Sequence, residues 1–575
     1  MVKKSKTRKA LSRKDIRRND VFLLVVTFII IFFINIISQS WFFRLDLTAE
    51  KRYTLSRATR EILRNLDDVV YIQVYLKGDL NIPFQNFQDN VRDLLDEFKV
   101  YARSSLQYEF IDPFEDVPEG RQNEIINQLY EKGLKPSNIH QRDKGAVSEK
   151  IIFPGAILIY NNIEIAVNFL INNPGVGAEQ NLNSSIENLE YALISNIKGI
   201  SNPYTDKIAF IEGHGELNEL ETHDISLELS KSYQVDRGVI NGKPGILDAY
   251  KAIIIAKPQQ PFSEADKFVI DQYIMGGGKV LWLIDNVNVS LDSLVNGETL
   301  AFIAELNLED MFFRYGTRIL PELVQDIQCN VIPVNVALTG NSPDFQPVPW
   351  LYHPVQVPDD HPVTRNLNPV ICRFVNPVDT IAARKNIRKT PLLTTSAFSK
   401  TRKVPAVVSL EEINNTPAQE EFNQPAIMTG VLLEGEFESV FKNRGLDAYF
   451  DSIPQTKEKG IFTRMAVIAD GDIIRNDIIF SQQGPSVLPL GYDRFTQQSF
   501  GNKDFMMNLI QYLTDDANLL ELRGREFRLR LLDRKKVSDE RLKWTLMNML
   551  VPTFLIIIFG IIFISYRKYR YSKKL

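Results

Sequence analysis

Two stretches of the chain, residues 21–43 and 544–566, run 23 positions each without a charge and are dominated by Leu, Ile, Val and Phe. About 20 such residues cross a bilayer as a helix. Neither run has the polar face that a helix packed in a soluble core shows. The pattern therefore predicts two membrane spans. Trp41, Phe42, Phe43, Trp544 and Tyr566 stand at the ends of the runs, where amphipathic rings favour the membrane interface. The first run is longer than a signal-peptide core and no small-x-small cleavage site follows it, so it reads as an uncleaved anchor.

Between the spans the periodicity changes repeatedly. Thr54 or Ser56 can cap a helix over 57–65. VVYIQVYLKG alternates as a strand does. Phe87, Val91, Leu94, Leu95, Phe98 and Tyr101 then fall on one helical stripe, and LQYEFID (106–112) is a second strand. A short helix over 125–132 precedes a hairpin, 156–160 with 163–169, turning at Asn161-Asn162. A helix over 186–199 closes the unit. This order is that of a thioredoxin-like domain, assigned to residues 44–204. The redox C-x-x-C is missing, since no Cys precedes Cys329.

From Lys207 the elements come in short βα units: KIAFIEG, a helix over 217–232, YQVDRGVI, KAIIIAK, a helix over 264–275 and KVLWLID. That alternation predicts a mostly parallel sheet. Residues 306–460 read as irregular, with an exposed polar loop at 411–424. Asp470-Gly471 then reads as a hairpin turn, 508–513 as helix, and Ser538 as the cap of the last helix. The α/β unit is assigned to 205–520, and 521–543 forms a basic juxtamembrane segment.

Charge gives the runs an orientation. The formal net charge is -4, but residues 1–20 carry about +7 and 567–575 about +5, leaving the rest at about -16. Lys and Arg beside membrane helices stay cytoplasmic. Both short tails are therefore expected inside the inner (cytoplasmic) membrane, with 44–543 extracytoplasmic. The basic stretch from Arg523 to Lys536 lies close to the second span; it reads either as a surface for anionic lipid or a partner, or as a solvated face. The basic-aromatic YRKYRY (566–571) fits a membrane flank better than nucleic acid. Cys329 and Cys372 both fall in the outer region, where a disulfide would be permitted; spacing does not decide their pairing.

Few residues offer chemistry. GGGK (276–279) follows a helix and precedes a strand, the reverse of a phosphate loop, and Val280 follows the Lys. It reads as a helix cap and turn. No G-x-S-x-G is present, and no cofactor is expected. The densest titratable cluster is Glu212-Gly-His214-Gly-Glu216 with His223 beyond it, at the carboxyl end of a strand, where open α/β sheets bind ligands. Three readings stay open: a structural turn, a ligand or partner site, and a metal or catalytic site. No H-x-x-x-H pair supports the metal. His353 and His361 sit in Pro-rich segments and read as loop residues.

The stretches RLDLTAEKRYTLS (44–56), FIEGHGE (210–216), DQYIMGGGKVLWLID (271–285), YGTRILPELVQD (315–326), VIADGDIIRND (467–477) and NKDFMMNLIQYLTDDANLLELRGREFRLRLLDRKKV (502–537) together resemble the GldG family of gliding-motility-associated ABC-transporter substrate-binding proteins. The resemblance implies an auxiliary subunit, linked to gliding motility, that works with a separate ATPase and a separate permease. It also implies that 205–520 is similar to class I glutamine amidotransferases. Those enzymes use a Cys nucleophile after a central strand; here the turn after KAIIIAK reads Pro258-Gln-Gln-Pro261, so the fold is expected without the chemistry. The favoured reading is a non-enzymatic subunit binding partners or cargo. The rival is a membrane-tethered hydrolase or metalloenzyme using Glu212, His214, Glu216 and His223.

Overall fold

The computed structural model describes residues 21–33, 54–515, Leu519 and 540–572, apart from 116, 144–145, 172–176, 202–205, 290, 292–293, 295–296, 336–344, 357–360, 366, 383–385, 415–417, 425, 446–455 and 483. Chain contacts divide it into two compact units, 1–525 and 526–575.

After the apolar helix α1 (Val21–Phe33), α2 (Arg57–Arg64) is capped by Ser56, whose side chain accepts from the Thr59 N–H at 2.9 Å. Strand β1 (Val70–Val74) leads to α3 (Ile82–Ala102), 21 residues rather than the predicted stripe of about 15. Its additional first turn comes from Asn81, which accepts from the Phe84 N–H at 3.2 Å, and from a proline in the first turn that has no N–H to lose. Phe87, Val91, Leu95 and Phe98 bury one face of it. Then come β2 (Leu106–Phe110), α4 (Glu119–Glu131), β3 (Gly155–Tyr160), β4 (Ile163–Asn168) and α5 (Ala178–Ser201). A hairpin of Ser137–Asp143 with Ala146–Ile152, not foreseen from the sequence, is inserted before β3. The sheet order is β2-β1-β3-β4, with β1 parallel to β2 and antiparallel to β3. The β3–β4 turn is Asn161-Asn162, at φ 48° and 65°, left-handed values that Asn tolerates in a tight hairpin.

The second sheet has seven strands: β5 (Lys207–Glu212), β6 (Gln234–Val239), β7 (Ala252–Ala256), β8 (Lys279–Leu283), β9 (Ile387–Thr394), β10 (Met428–Glu438) and β11 (Lys459–Ile468). Their order is β9-β10-β11-β8-β7-β5-β6. The five from β11 to β6 run parallel; β10 pairs antiparallel with β11, and β9 antiparallel with β10. β7 is buried along its whole length, as a strand covered on both faces must be. One face packs Ile253, Ile255, Trp282 and Val467 against Phe268 and Ile274 of α7 (Glu264–Met275) and Phe312 of α8 (Glu309–Tyr315); the other packs Ile254, Leu281, Leu283 and Ile468 against Ile225 of α6 (His223–Leu229) and Leu509 and Leu513 of α9 (Asn502–Thr514). α7 matches its predicted span, and GGGK is its cap and turn, with Gly277 at φ 93°.

Several expectations are corrected. The helix predicted over 217–232 survives only as α6, because Asn218 accepts from the N–H groups of Leu220 and Glu221, both at 3.0 Å, and holds a turn there instead. Asp470-Gly471 is not a hairpin: Gly471 has φ -75° and leads into a short 3₁₀ turn, Asp472–Ile474. Residues 306–460 hold ordered strands, including the long β10 and the pair Cys329–Asn335 with Phe345–Gln356. His353 lies in the second of these strands and is buried, and His361 is buried in a turn.

Cys329 and Cys372 are both free. Cys329 faces Pro354 in one ladder, and the Cys372 N–H donates to the Pro354 carbonyl at 3.0 Å from the other side. Two strand spacings, roughly 9.5 Å, separate them, beyond the ~7 Å that a disulfide spans.

Among the described residues, the second unit holds α10 (Arg541–Ser572), which contains Pro552. Its 29 residues from Arg541 to Tyr569 are long and apolar enough to cross a membrane. The rest of the first expected span, 34–43, the basic stretch 523–536 and Ser538 lie outside the described residues.

Candidate functional site

The parallel strands end on one edge, and two groups of charged side chains collect there. The first is the predicted cluster. β5 stops at Glu212, and Gly213 and Gly215, at φ 114° and 76°, turn the chain sharply around His214. The His214 ring stacks on Phe262 at 3.7 Å. Its Nδ1 lies 3.1 Å from Glu216 Oε1 and its Nε2 3.3 Å from Asp266 Oδ2. The His214 N–H donates to Glu216 Oε2 at 2.6 Å, and its carbonyl accepts from the N–H groups of Gln259 and Gln260. Burial alone would lower the imidazole; the Asp266 and Glu216 carboxylates outweigh it and raise it to about 9. The hydrogen bond from His214 in turn holds the Asp266 carboxyl below its ordinary range. His214 is thus an imidazolium clasped between two carboxylates, joining the turn after β5, the loop after β7 and the start of α7.

The other two candidates stand apart from that clasp. Glu212 accepts from Arg237 Nε at 2.7 Å, and the same guanidinium donates to Thr222 Oγ1 and to the Leu217 carbonyl. His223 is exposed at the start of α6. Among the described residues, no three His, Cys, Asp or Glu side chains converge as a metal site needs.

The second group escaped the sequence reading. Lys257, directly after β7, takes φ 55° and extends its ammonium to 3.1 Å from Asp285 Oδ2 and 2.5 Å from Asp472 Oδ2. Asp285 follows β8 and accepts from the Gly471 N–H at 2.5 Å. Gly471 is obligatory there, since a Cβ would lie 2.7 Å from Lys257 Cβ. Asp470, two residues after β11, accepts from the N–H groups of Arg373 and Asp472. Burial, reinforced by Asp285 and Asp472, pushes the Asp470 carboxyl up to about 8. Burial would raise Asp472 too, but Lys257 and Arg373 win and hold it low. Burial and then Asp470 drive the Cys372 thiol well above its ordinary range. One sequence signal marks these acids: VLWLID and MAVIAD each end an unbroken apolar run in Asp.

Beside this knot opens a cleft of about 590 Å³, bordered by Asn330, His353, Arg373, Asp472, Arg475 and Asp477 among others. Arg373 reaches Asp477 at 3.1 Å, and Arg475 reaches Glu221 at 3.0 Å. Burial, with Arg373 nearby, lowers His353 to about 3, so its ring is neutral.

The sheet and its strand-end edge define an α/β protein whose parallel strand ends carry buried ion pairs of its own. The particular family follows from comparison: residues 205–509 match the auxiliary family described as an ABC-type uncharacterized transport system, and the chain belongs to it. Residues 49–159 match a domain of unknown function. A protein of Borreliella burgdorferi titled "Uncharacterized protein" is 21% identical over 550 residues, 93% of this chain and 95% of that one. Among solved structures, the "mmIFT52 N-terminal domain" aligns with TM-score 0.31 and 14% identity over 54% of this chain and 97% of that one.

Proposed function

We propose that this chain is a membrane-anchored, non-catalytic auxiliary subunit of an ABC-type transport system, acting with a separate multi-span permease and a separate ATPase. Membership of the transport-system family carries the reading. The chemistry of the strand ends supports it. An activated nucleophile needs an adjacent base or a depressed pKa. Lys257 has the opposite: burial would lower it, but Asp285 and Asp472 raise it and keep it charged. An imidazolium clasped by two carboxylates has no lone pair for a metal or a substrate proton at neutral pH. This supports a structural role for His214 and Glu216 and counts against the hydrolase or metalloenzyme reading. Glu212 and His223 are left as the accessible candidates for a ligand or partner.

The finer parts of the proposal rest on the resemblance and on the charge pattern. The transport system is one linked to gliding motility, at the inner membrane, with two spans, cytoplasmic termini and residues 44–543 outside. The order β2-β1-β3-β4 supports a thioredoxin-like reading of 44–204. The seven-stranded sheet supports an amidotransferase-like reading of 205–520 without the amidotransferase chemistry.

Purification of the tagged full-length chain in mild detergent tests the proposal. A multi-span membrane protein and a P-loop ATPase are expected to copurify. Recovery of this chain alone, under conditions that keep a control transporter assembled, would overturn the reading.

A further inference from the structure

Successive residues of a β-strand project to opposite faces of the sheet. Several in a row border one cavity only where the edge of the strand, with its main-chain groups, forms the wall. Asn330, Val331, Ile332 and Pro333 all border the 590 Å³ cleft. They belong to the strand Cys329–Asn335, which is an edge of its three-stranded sheet and has Phe345–Gln356 as its one neighbour among the described residues. A second wall has the same character. Ile478, Ile479 and Phe480 border the cleft consecutively, and their strand, Ile478–Ser481, pairs with Gly484–Val487 in a two-stranded sheet.

Prolines identify which main-chain groups the first edge leaves open. Val331 faces Pro349, Ile332 faces Val348 and Pro333 faces Pro347 across the ladder. Proline has no N–H to donate, and antiparallel pairs alternate between exchanging both hydrogen bonds and exchanging none. Ile332–Val348 is therefore the bonded pair. The N–H and C=O of Val331 and the C=O of Pro333 point off the free edge. The side chains nearby do not favour a strongly charged ligand, since Arg373, Arg475 and Arg494 at the cleft are offset by Glu221, Asp472, Asp477 and Asp493. Phe480 and Phe495 are 78% and 43% exposed at the cleft, offering apolar surface.

We propose that this cleft binds an extended polypeptide segment, which adds as a strand to the Cys329–Asn335 edge through Val331 and Pro333 and rests apolar side chains on Phe480 and Phe495. Such strand addition takes its affinity from the main chain and its selectivity from alternate side chains. The inference goes beyond the transport reading and does not depend on it.

The test uses the full-length protein in detergent and a fluorescein-labelled octapeptide of alternating Thr and Val, followed by fluorescence anisotropy. Saturable binding is expected. The same peptide N-methylated on alternate residues, which cannot pair along one edge, should bind at least about tenfold more weakly. Val331→Pro, which removes the outward N–H and leaves the Ile332–Val348 pair, should weaken binding by about tenfold. Phe480→Ser alters only exposed surface and should weaken it several-fold even if V331P proves unstable. Absence of saturable binding up to about 1 mM, the weak end of specific association, overturns the proposal. So does equal binding of the N-methylated peptide, or competition by a neutral hexasaccharide as strong as by unlabelled peptide.

Discussion

The Lys257 ammonium lies 2.5 Å from the Asp472 carboxylate, although their strands, β7 and β11, are not neighbours. The pair reaches across the end of β8, whose own Asp285 joins it at 3.1 Å. All three side chains are nearly buried, at 9–13% exposure. A buried ion pair adds little net stability, but removing one partner strands the others without compensation. Lys257→Met should therefore lower unfolding free energy by about 3–5 kcal/mol, measured by urea titration. Adding Asp285→Asn and Asp472→Asn to it should restore most of the loss. A triple variant as unstable as K257M would show that packing, not uncompensated charge, is the cause.

Two groups in these clusters make stability fall as the medium turns alkaline. His214 is raised in the folded chain from 6.5 to about 9. Its stabilisation is fully present below pH 6.5 and is lost as pH rises through 9. Asp470 acts in the same direction by the reverse chemistry. Its carboxyl is raised from 3.8 to about 8, so the folded chain keeps a proton that the unfolded chain has released, and stability declines between those limits. Thermal midpoints should therefore fall as pH rises from about 6.5 to 9. His214→Gln is expected to flatten the segment from about 8 to 9, and Asp470→Asn the segment below 8. An unchanged profile in H214Q would remove the clasp from the account.

His353 provides the opposing limb. Burial lowers it from 6.5 to about 3, so the unfolded chain gains a proton that the folded chain refuses, and stability is lost as pH falls from 6.5 toward 3. His353→Phe removes that titration and keeps a ring in the buried site. The variant should hold its thermal midpoint better than the parent between pH 6 and 4. A profile still parallel to the parent there would assign the acid limb to other groups.

These clusters also show where sequence reading reached and where it stopped. The α7 span, the Asn161-Asn162 turn and the parallel run were legible because each rests on local patterning: a helical stripe, two residues that accept left-handed φ, and apolar strands joined by short helices. Asp470-Gly471 carries the same dipeptide signal as a hairpin, yet both neighbours of β11, β8 and β10, precede it in the chain, so its exit leaves the layer. Asp470 is held by Arg373, 97 positions away, and Lys257 by Asp472, 215 away. Such partners have no periodicity to betray them. His214 was legible as a notable residue, but Asp266, 52 positions on, makes it a clasp.

The cysteines give a chemical check on the register of the strands beside the cleft. Cys329 and Cys372 flank Pro354 on opposite sides. Burial, with Asp326 nearby, pushes the Cys329 thiol up to about 11, and thiolate is the reactive form. Native protein should therefore label slowly at Cys329 and not at the fully buried Cys372, and both should react fully once unfolded. Loss of two thiols to a disulfide in unreduced protein would contradict the register.

The anchoring prediction separates the two ends of the chain. α10 offers 29 residues from Arg541 to Tyr569 that are long and apolar enough to span a bilayer, and 21–43 is a second uncharged run of 23. A single helix of about 20 apolar residues holds a protein in a bilayer on its own. A chain lacking 541–575 should then stay in the membrane fraction through carbonate washing, held by the first run. A chain lacking 1–43 should stay as well, held by α10. Only removal of both should release the 54–515 body. If loss of 541–575 alone frees the protein, the first run is not a lasting anchor and the two-span topology fails. If the double truncation stays bound, the attachment lies in the body itself or in a partner.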